Sequence, residues 1–363
     1  MDAARNKPVL SLIVAACAGH ALAQPGPVLE WGQYAPTSNP GGQWSQVTVG
    51  YLFSIGLRPD GTLARWGNNG GHTALPTDGP FQAISAGEWH AIALRTDGSL
   101  AIWGSTTSPY GTVLSVPNVT ATAIAAGEYH NVVIKSDGTL EAWGPVAGSA
   151  VTTCPSGTYK AISAGDQYSV AIKSNDELQV WGGRPSMLPF PTGTFKAVSA
   201  GQYHAVAINM DGELVGWGQD TWGQAGSIEP NEHFGYFPDS NPPYIEVSCG
   251  YDNTIAMRAN GTIDVWGEDD TSQIVTGHPS GAFWHLAQGQ SYKYGSVIQA
   301  GCYANCDDST TLPTLNVSDY LCFMALYSAG DSRANCDGST SAPVINVNDY
   351  TCFQNAYSAG CPR

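Results

Sequence analysis

Three histidines with the same sequence context are the first candidates for chemistry in this chain. His90, His130 and His204 each stand three residues after a glycine, in the pattern Ala-Gly-x-x-His. Equivalent histidines that meet around an axis could hold a metal ion, which requires ring nitrogens at about 2 Å from the metal. Because the position belongs to a repeating pattern, we expect instead a structural hydrogen bond within each repeat unit.

The two variable positions after each such glycine carry aromatic and acidic side chains. They include Tyr51, Glu88, Trp89, Glu128, Tyr129, Asp166, Tyr203, Tyr251 and Asp252. Aromatic side chains anchor protein interfaces, and their flat apolar faces can also cover sugar rings. If these loops lie at one end of the fold, the nine residues form a binding face. The alternative is that the aromatic rings only shield the loops.

Enzymatic chemistry finds less support. The chain has no nucleophile motif, phosphate-binding loop or zinc-protease signature. A lyase or glycosidase needs two carboxylates roughly 5 to 10 Å apart, and Glu88, Glu128 and Asp166 on successive units could supply them. We therefore expect a non-enzymatic protein, with a carbohydrate-active enzyme as the alternative.

These candidates lie in a unit that returns seven times along the chain. The units open at Gly50, Gly87, Gly127, Gly165, Gly201, Gly250 and Gly289. The first six continue, in one register, with the turn pairs Asp60-Gly61, Asp97-Gly98, Asp137-Gly138, Asn175-Asp176, Asp211-Gly212 and Asn260-Gly261. They close on Trp66, Trp103, Trp143, Trp181, Trp217 and Trp266. Turn pairs of this kind between alternating apolar runs predict β-hairpins with two-residue type I′ turns.

Repeated units built only from strands and turns predict an all-β fold, a seven-bladed β-propeller over residues 24–300. The seventh unit lacks the turn pair and the closing Trp-Gly, whereas Val28–Gly32 near the N-terminus ends in Trp-Gly. We therefore expect this N-terminal strand to complete the last blade and close the ring. The extra loop between Trp222 and Tyr244 is a further binding element or a surface flap.

The repeat resembles that of the regulator-of-chromosome-condensation family, which has an Ala-Gly-x-x-His opening, an Asp-Gly turn and a Trp-Gly close. The resemblance covers about three quarters of the chain and implies a propeller. The family includes a nuclear guanine-nucleotide exchange factor and also secreted bacterial propellers that inhibit β-lactamases through one loop-rich face. Exchange activity rests on this resemblance alone and is a remote alternative here.

Composition and the N-terminus indicate where the protein acts. Residues 1–23 resemble a signal peptide, with Arg5 and Lys7 before a short apolar stretch and Ala21-Leu22-Ala23 at the cleavage site. The formal charge of −16 argues against a nucleic-acid partner. We expect a secreted or cell-surface-associated bacterial monomer without a transmembrane segment, whose ligand is an extracellular or cell-surface protein or glycan.

Residues 301–363 contain a duplication that resembles the calcium loops of dockerins, in a cysteine-containing, disulfide-stapled, EF-hand-like form. The oxygen ligands that this implies are Asn305, Asp307, Asn316, Asp319, Asn335, Asp337, Asn346 and Asp349. The resemblance implies docking onto a cohesin-like receptor with calcium as cofactor. Tyr303 and Arg333 replace the first Asp of each loop, and the alternative is that these side chains only cap helices.

Six cysteines lie in this segment. Cys306 and Cys322 are 16 residues apart, as are Cys336 and Cys352. The equal spacing favours these two disulfides, with Cys302 and Cys361 joining the ends, but six cysteines allow other pairings. The segment has no Cys-x-x-Cys pair and no nearby histidine, which disfavours zinc.

Overall fold

The computed structural model describes residues 26–32, 35–36, 40–68, 74–105, 114–144, 150–183, 187, 189–226, 235–237, 243–268, 274–280, 283–288 and 294–299. Within these ranges the chain forms β-strands, with a short 3-10 helix at Ala150–Thr152. No helix in the same ranges is long and apolar enough to cross a membrane.

The strands assemble into seven antiparallel sheets, one for each repeat unit. Sheets 1 to 4 contain β2 (Gln46–Val49), β3 (Phe53–Leu57) and β4 (Leu63–Gly67); β5 (Phe81–Ala86), β6 (His90–Arg95) and β7 (Leu100–Gly104); β8 (Ala121–Ala126), β9 (Asn131–Lys135) and β10 (Leu140–Trp143); and β11 (Tyr159–Ala164), β12 (Tyr168–Lys173) and β13 (Leu178–Gly182). Sheets 5 to 7 contain β14 (Phe195–Ala200), β15 (His204–Asn209), β16 (Leu214–Gly218) and β17 (Gly235–Tyr236); β18 (Tyr244–Cys249), β19 (Asn253–Arg258) and β20 (Ile263–Gly267); and β21 (Phe283–Gln288), β22 (Tyr294–Gln299) and β1 (Val28–Gly32). The predicted all-β fold is confirmed.

The hydrophobic core lies between neighbouring sheets. Between sheets 1 and 2, for example, Phe53 and Ile55 pack against Phe81, Ile84 and Trp103. Middle strands such as β6 are buried along almost their whole length, because a sheet lies against each of their faces. Each repeat therefore buries its apolar surface only when its neighbours are present.

The first strands of the seven sheets line one common cavity, which we call the channel. Each contacts the first strand of the next sheet, and β21 contacts β2. The channel has a cavity volume of about 130 Å³ and is lined by residues of all seven first strands. On the outer side of sheet 7, β1 pairs antiparallel with β22, with Trp31 opposite Gly295. The N-terminal strand therefore lies where the missing Trp-Gly strand of the seventh unit was expected.

The turns differ from the prediction. In sheet 1 the amide of Gly61 donates to the carbonyl of Arg58 at 2.9 Å, and Gly61 has a φ of 81°, whereas Asp60 is not among the residues with positive φ. A type I′ turn would need positive φ at both central residues, so this prediction is wrong. The Asp60 carboxylate instead accepts hydrogen bonds from the amide and hydroxyl of Thr62 at 2.9 and 2.7 Å. The aspartate is selected for this local bond, not for a left-handed backbone.

Candidate functional site

The predicted binding residues lie at one end of the sheets, where first strands pass into second strands. We call the two variable positions after the opening glycines the loop face, and the end that carries the Asp-Gly turns the turn face. Third strands also end at the loop face, since the amide of Ser105, which follows β7, donates to the carbonyl of Trp89 at 2.9 Å. The same bond joins Gln219 to Tyr203 at 2.9 Å.

The opening glycines bring the loops of neighbouring sheets together. A Cβ atom on Gly87 would collide with the carbonyl oxygen of Gly127 in the next sheet and with the ring of His90. Only glycine allows this approach. The amide of Tyr51 then donates to the carbonyl of Glu88 at 3.0 Å, so the loops of sheets 1 and 2 are directly bonded.

The three equivalent histidines link adjacent sheets. His90 Nε2 lies 3.0 Å from Asn131 Oδ1, His130 Nε2 lies 2.7 Å from Ser169 Oγ, and His204 Nε2 lies 2.9 Å from Thr254 Oγ1. We predicted bonds within each unit, and this prediction is wrong, because the side chain reaches the second strand of the following sheet. Burial, together with the charge of His90, lowers the pKa of His130 to about 3, so His130 is neutral.

A metal-binding role for these histidines finds no geometric support. Over the described part of the chain, no group of three or more His, Cys, Asp or Glu side chains is placed to hold a metal ion. In each of the three histidines, the Nε2 atom is already engaged in a hydrogen bond with the neighbouring sheet.

Sheets 1 and 2 contribute an aromatic pair to the loop face. The rings of Tyr51 and Trp89 lie 4.3 Å apart between centroids, with an angle of 32° between their planes. Both side chains are only half-buried. Residues that are 38 positions apart in sequence thus form one continuous aromatic surface across the boundary between the sheets.

Sheets 2 and 3 contribute a pair of carboxyl groups. Glu88 accepts hydrogen bonds from the side chains of Tyr129 and Trp89, and its carboxyl group is also in hydrogen-bond contact with that of Glu128. Burial, and then the neighbouring charge of Glu128, raise the pKa of Glu88 to about 7 against the opposing effect of the Tyr129 hydrogen bond. This direct contact is closer than the carboxylate separations that glycosidases use.

Sheets 5 and 6 add a second aromatic pair. Tyr203 and Tyr251 meet edge to face with 6.2 Å between ring centroids. The neighbouring segment 219–226 is fixed by Gln224, which is fully buried and donates to Asp252 at 3.4 Å. This segment presents Trp222, which is 52% exposed. Of the predicted acidic residues, Glu128, Asp166 and Asp252 are buried and only Glu88 is half-buried.

Sequence reasoning missed the polar residues that join the sheets around the channel. Ser85 Oγ accepts a hydrogen bond from the amide of Ala126, and Ser199 Oγ accepts one from the amide of Cys249. Both serines stand two residues before an opening glycine, so their regular position was the available signal. Apolar residues such as Ala125 occupy the same position elsewhere, which hid the pattern.

A buried ion pair also lines the channel. His285 Nδ1 lies 3.0 Å from Glu246 Oε1 of the preceding sheet, and His285 Nε2 donates to the carbonyl of Val47 at 3.0 Å. Burial lowers the pKa of His285, but the charge of the adjacent Glu246 and the hydrogen bond to Val47 outweigh burial and raise the pKa. Both residues stand four positions before an opening glycine, where Ala83 and Ala197 stand in other units, so a polar residue at this position was the available signal.

A half-buried glutamate joins the N-terminal strand to sheet 1. Glu30 accepts hydrogen bonds from the hydroxyl of Ser54 and, at 2.6 Å, from the indole nitrogen of Trp66. Burial raises the pKa of Glu30 to about 7, although both hydrogen bonds act in the opposite direction.

The predicted C-terminal sites lie outside the described residues. This applies to the proposed calcium ligands Asn305, Asp307, Asn316, Asp319, Asn335, Asp337, Asn346 and Asp349. It applies equally to Cys302, Cys306, Cys322, Cys336, Cys352 and Cys361, and to the N-terminal segment 1–23. The structure does describe Cys154 and Cys249, and both are free thiols.

Two stretches of the chain match a protein-family model. The family is described as the regulator of chromosome condensation (RCC1) repeat, and residues 81–108 and 195–224 match it. These stretches cover sheet 2 and the first three strands of sheet 5. The comparison with curated proteins finds no match.

Solved structures agree with this classification at the level of fold. The structure of Kap60 bound to yeast RCC1 (Prp20) matches with a TM-score of 0.60 and 13% identity, over 83% of this chain and 95% of that chain. Prp20p from Saccharomyces cerevisiae matches with a TM-score of 0.59 and 14% identity, over 78% and 93%. Human WBSCR16 matches with a TM-score of 0.58 and 13% identity, over 76% and 99%. Together with the family match, these similarities support an RCC1-type repeat propeller.

Proposed function

We propose that this protein is an exported, non-enzymatic binding protein whose loop face recognises a protein or glycan outside the cell. In this proposal the seven sheets form a propeller closed by the N-terminal strand. Residues 301–363 form a disulfide-stapled, dockerin-like module that anchors the protein to a cohesin-like receptor through calcium.

The observation that carries the proposal is the assembly of aromatic side chains across sheet boundaries at the loop face. Tyr51 pairs with Trp89, and Tyr203 pairs with Tyr251. Half-buried aromatic rings held by a rigid scaffold lose little conformational entropy on binding, which suits them as interface anchors. Loops on a rigid scaffold are also the usual place for binding residues.

A capture experiment tests whether the loop face binds a partner. The full chain, the double variant Trp89→Ala/Tyr129→Ala and the control Met210→Ala are each exposed to an envelope extract of the source cells. Met210 lies beside the turn of sheet 5 and is 45% exposed, so it is an accessible apolar side chain at the opposite face from the aromatic pair. We expect the control to capture the same partner as the wild-type chain and the double variant to lose it. Equal capture by all three proteins would contradict the proposal.

The anchor is tested separately by removing residues 300–363 and by adding a calcium chelator. We expect one captured protein to depend on both the C-terminal segment and calcium, and a second to depend on neither. If every captured partner is independent of calcium and of residues 300–363, the anchoring role is wrong and the loop-face role stands.

A further inference from the structure

The loop face holds two carboxyl groups that lack a cationic partner in the described part of the chain. Glu88 and Glu128 come from the opening loops of sheets 2 and 3 and are in hydrogen-bond contact. Glu128 is only 7% exposed. One oxygen of each, Glu88 Oε2 and Glu128 Oε2, is buried and has no hydrogen-bond partner among the described residues.

Two adjacent carboxylates with unsatisfied oxygens are unfavourable in a partly buried place. Like charges in contact repel, and a buried acceptor without a donor loses the hydrogen bond that it made with water in the unfolded chain. A cation between the two carboxylates would remove both penalties. Because both free oxygens are buried, a positive group from outside the chain would complete this acceptor pair once the half-buried Glu88 side chain turns toward it.

Among the described residues, most basic side chains lie at the other end of the sheets. The last residue of the second strand is basic in four sheets, and in sheet 1 the residue after the second strand is basic. These residues are Arg95, Lys135, Lys173 and Arg258, which end β6, β9, β12 and β19, and Arg58, which follows β3. The described opening loops contain no Lys or Arg. At the turn face these basic side chains lie beside acidic ones, as in the Arg95–Asp78 and Lys173–Glu177 ion pairs, whereas the acidic side chains of the described opening loops have no basic neighbour in those loops.

The number and placement of the acceptors select the kind of cation. Calcium takes six to eight oxygen ligands, and no group of three acidic, His or Cys side chains within the described ranges is placed to hold a metal. A guanidinium group prefers both oxygens of one carboxylate, but here the free oxygens belong to two different carboxylates. A primary ammonium group is a compact charge with three donors, which suits acceptors from separate side chains.

The aromatic rings around the Glu88–Glu128 pair also favour an ammonium group. Trp89 and Tyr129 both donate to Glu88, so their rings border the carboxyl pair, and Tyr51 packs against Trp89. Aromatic faces attract cations, and a lysine stem can cover apolar surface while its ammonium group reaches a polar site.

We propose that Glu88 and Glu128, framed by Trp89 and Tyr129, bind the side-chain ammonium group of a lysine on a protein partner. The inference rests on the proposed function, because it names the chemistry that the loop face recognises. It favours a protein over a glycan as the ligand, since neutral sugars offer no positive charge to the two carboxylates.

The test uses the full chain and a short peptide, acetyl-Gly-Gly-Lys-Gly-Gly-amide, titrated into the protein at pH 8. Binding is followed through the Trp89 indole N–H signal in a nitrogen–proton NMR spectrum. The comparison peptides carry Nε-acetyl-lysine or arginine in place of lysine. The test variant is Glu88→Gln/Glu128→Gln, and the control is Glu213→Gln, an exposed glutamate at the turn face.

We expect the lysine peptide to shift the Trp89 signal, and acetylation of the lysine to weaken binding at least about tenfold. The double variant should lose affinity by a similar factor, the control should not, and the arginine peptide should bind more weakly than the lysine peptide. Equal binding of the acetylated peptide to the wild-type chain would overturn the inference, and this measurement does not depend on the variants folding. Absence of any shift with the lysine peptide would overturn it as well.

The two proposals fail in different ways. If the double glutamine variant still captures the partner that Trp89→Ala/Tyr129→Ala loses, the loop face binds its partner without an ammonium contact. If neither variant changes capture, the loop-face function itself is wrong.

Discussion

At the scale of single residues, the same place in each repeat is used to join that repeat to the next one. His130 illustrates this use, because its ring is fully buried and its Nε2 atom lies 2.7 Å from Ser169 Oγ of sheet 4. In sheet 4 itself a tyrosine fills the position, and the Tyr168 hydroxyl donates to the carbonyl of Gly201 at 2.9 Å. A histidine is therefore one of several solutions to a common structural requirement.

Removal of the Ser169 hydroxyl group tests the role of His130 in joining neighbouring sheets. We expect Ser169→Ala to lower the free energy of unfolding by about 1–3 kcal/mol, because it leaves a buried ring nitrogen of His130 without a partner. The control is Ser174→Ala, whose exposed hydroxyl bonds to Thr158 and whose loss should change stability by less than about 0.5 kcal/mol. Urea denaturation measures both values. Equal values for the two variants would contradict an inter-sheet role for His130.

The ion pair of His285 and Glu246 gives a pH dependence with a definite sign. The pKa of His285 is raised in the folded protein, so the pair contributes its full stability below about pH 6.5, the ordinary histidine pKa, and loses it as pH rises through the raised pKa. We expect His285→Gln to cost about 3 kcal/mol at pH 5.5 and clearly less at pH 9, by urea denaturation. A cost that does not change with pH would show that His285 is not charged in the folded protein.

At the scale of elements, the sequence predicts strands well and their mutual contacts poorly. Within a unit, the alternation of apolar residues and the fixed distances between Gly87, Asp97 and Trp103 define a three-stranded sheet. The turn chemistry was misjudged because Asp-Gly fits more than one turn type, and the same turn forms in sheet 5, where Glu213 rather than Thr or Ser follows the glycine. Bonds between units, such as that of His130 with Ser169, could not be predicted, because spacing within one unit carries no information about which residue of the next unit faces it.

The packing of the N-terminal strand, Val28–Gly32, against the sheets can be tested by mutation. Trp31 is 8% exposed, packs with Ile255 and Phe283 of sheets 6 and 7, and donates its indole N–H to the carbonyl of Ile274 at 2.8 Å. We expect Trp31→Ala to lower the free energy of unfolding by about 3–5 kcal/mol.

The matched control for that prediction is Trp222→Ala. Trp222 is 52% exposed, and its replacement should change stability by less than about 0.5 kcal/mol. If the two tryptophan variants unfold at the same urea concentration, the strand at Val28–Gly32 is not part of the folded sheet.

At the scale of the whole molecule, the sheets present two chemically different ends. The loop face combines the aromatic pairs with the contact between Glu88 and Glu128, whereas the turn face carries basic and acidic side chains together, as in the Arg95–Asp78 ion pair. The acidic and aromatic residues of the loop face could be named from the sequence, but their pairing across sheets could not. The calcium module, its disulfides and the exported location stay predictions, because residues 1–23 and 301–363 lie outside the described ranges.

The most direct measurement of the central claim is hydrogen–deuterium exchange of the full chain, free and in complex with its captured partner. The account predicts slower exchange in peptides that contain the opening loops 50–53, 87–90 and 127–130. Peptides that contain the turns 60–61, 97–98 and 137–138 should exchange at the same rate in both states. Protection of the turns with unchanged exchange in the opening loops would contradict the assignment of the loop face as the recognition surface.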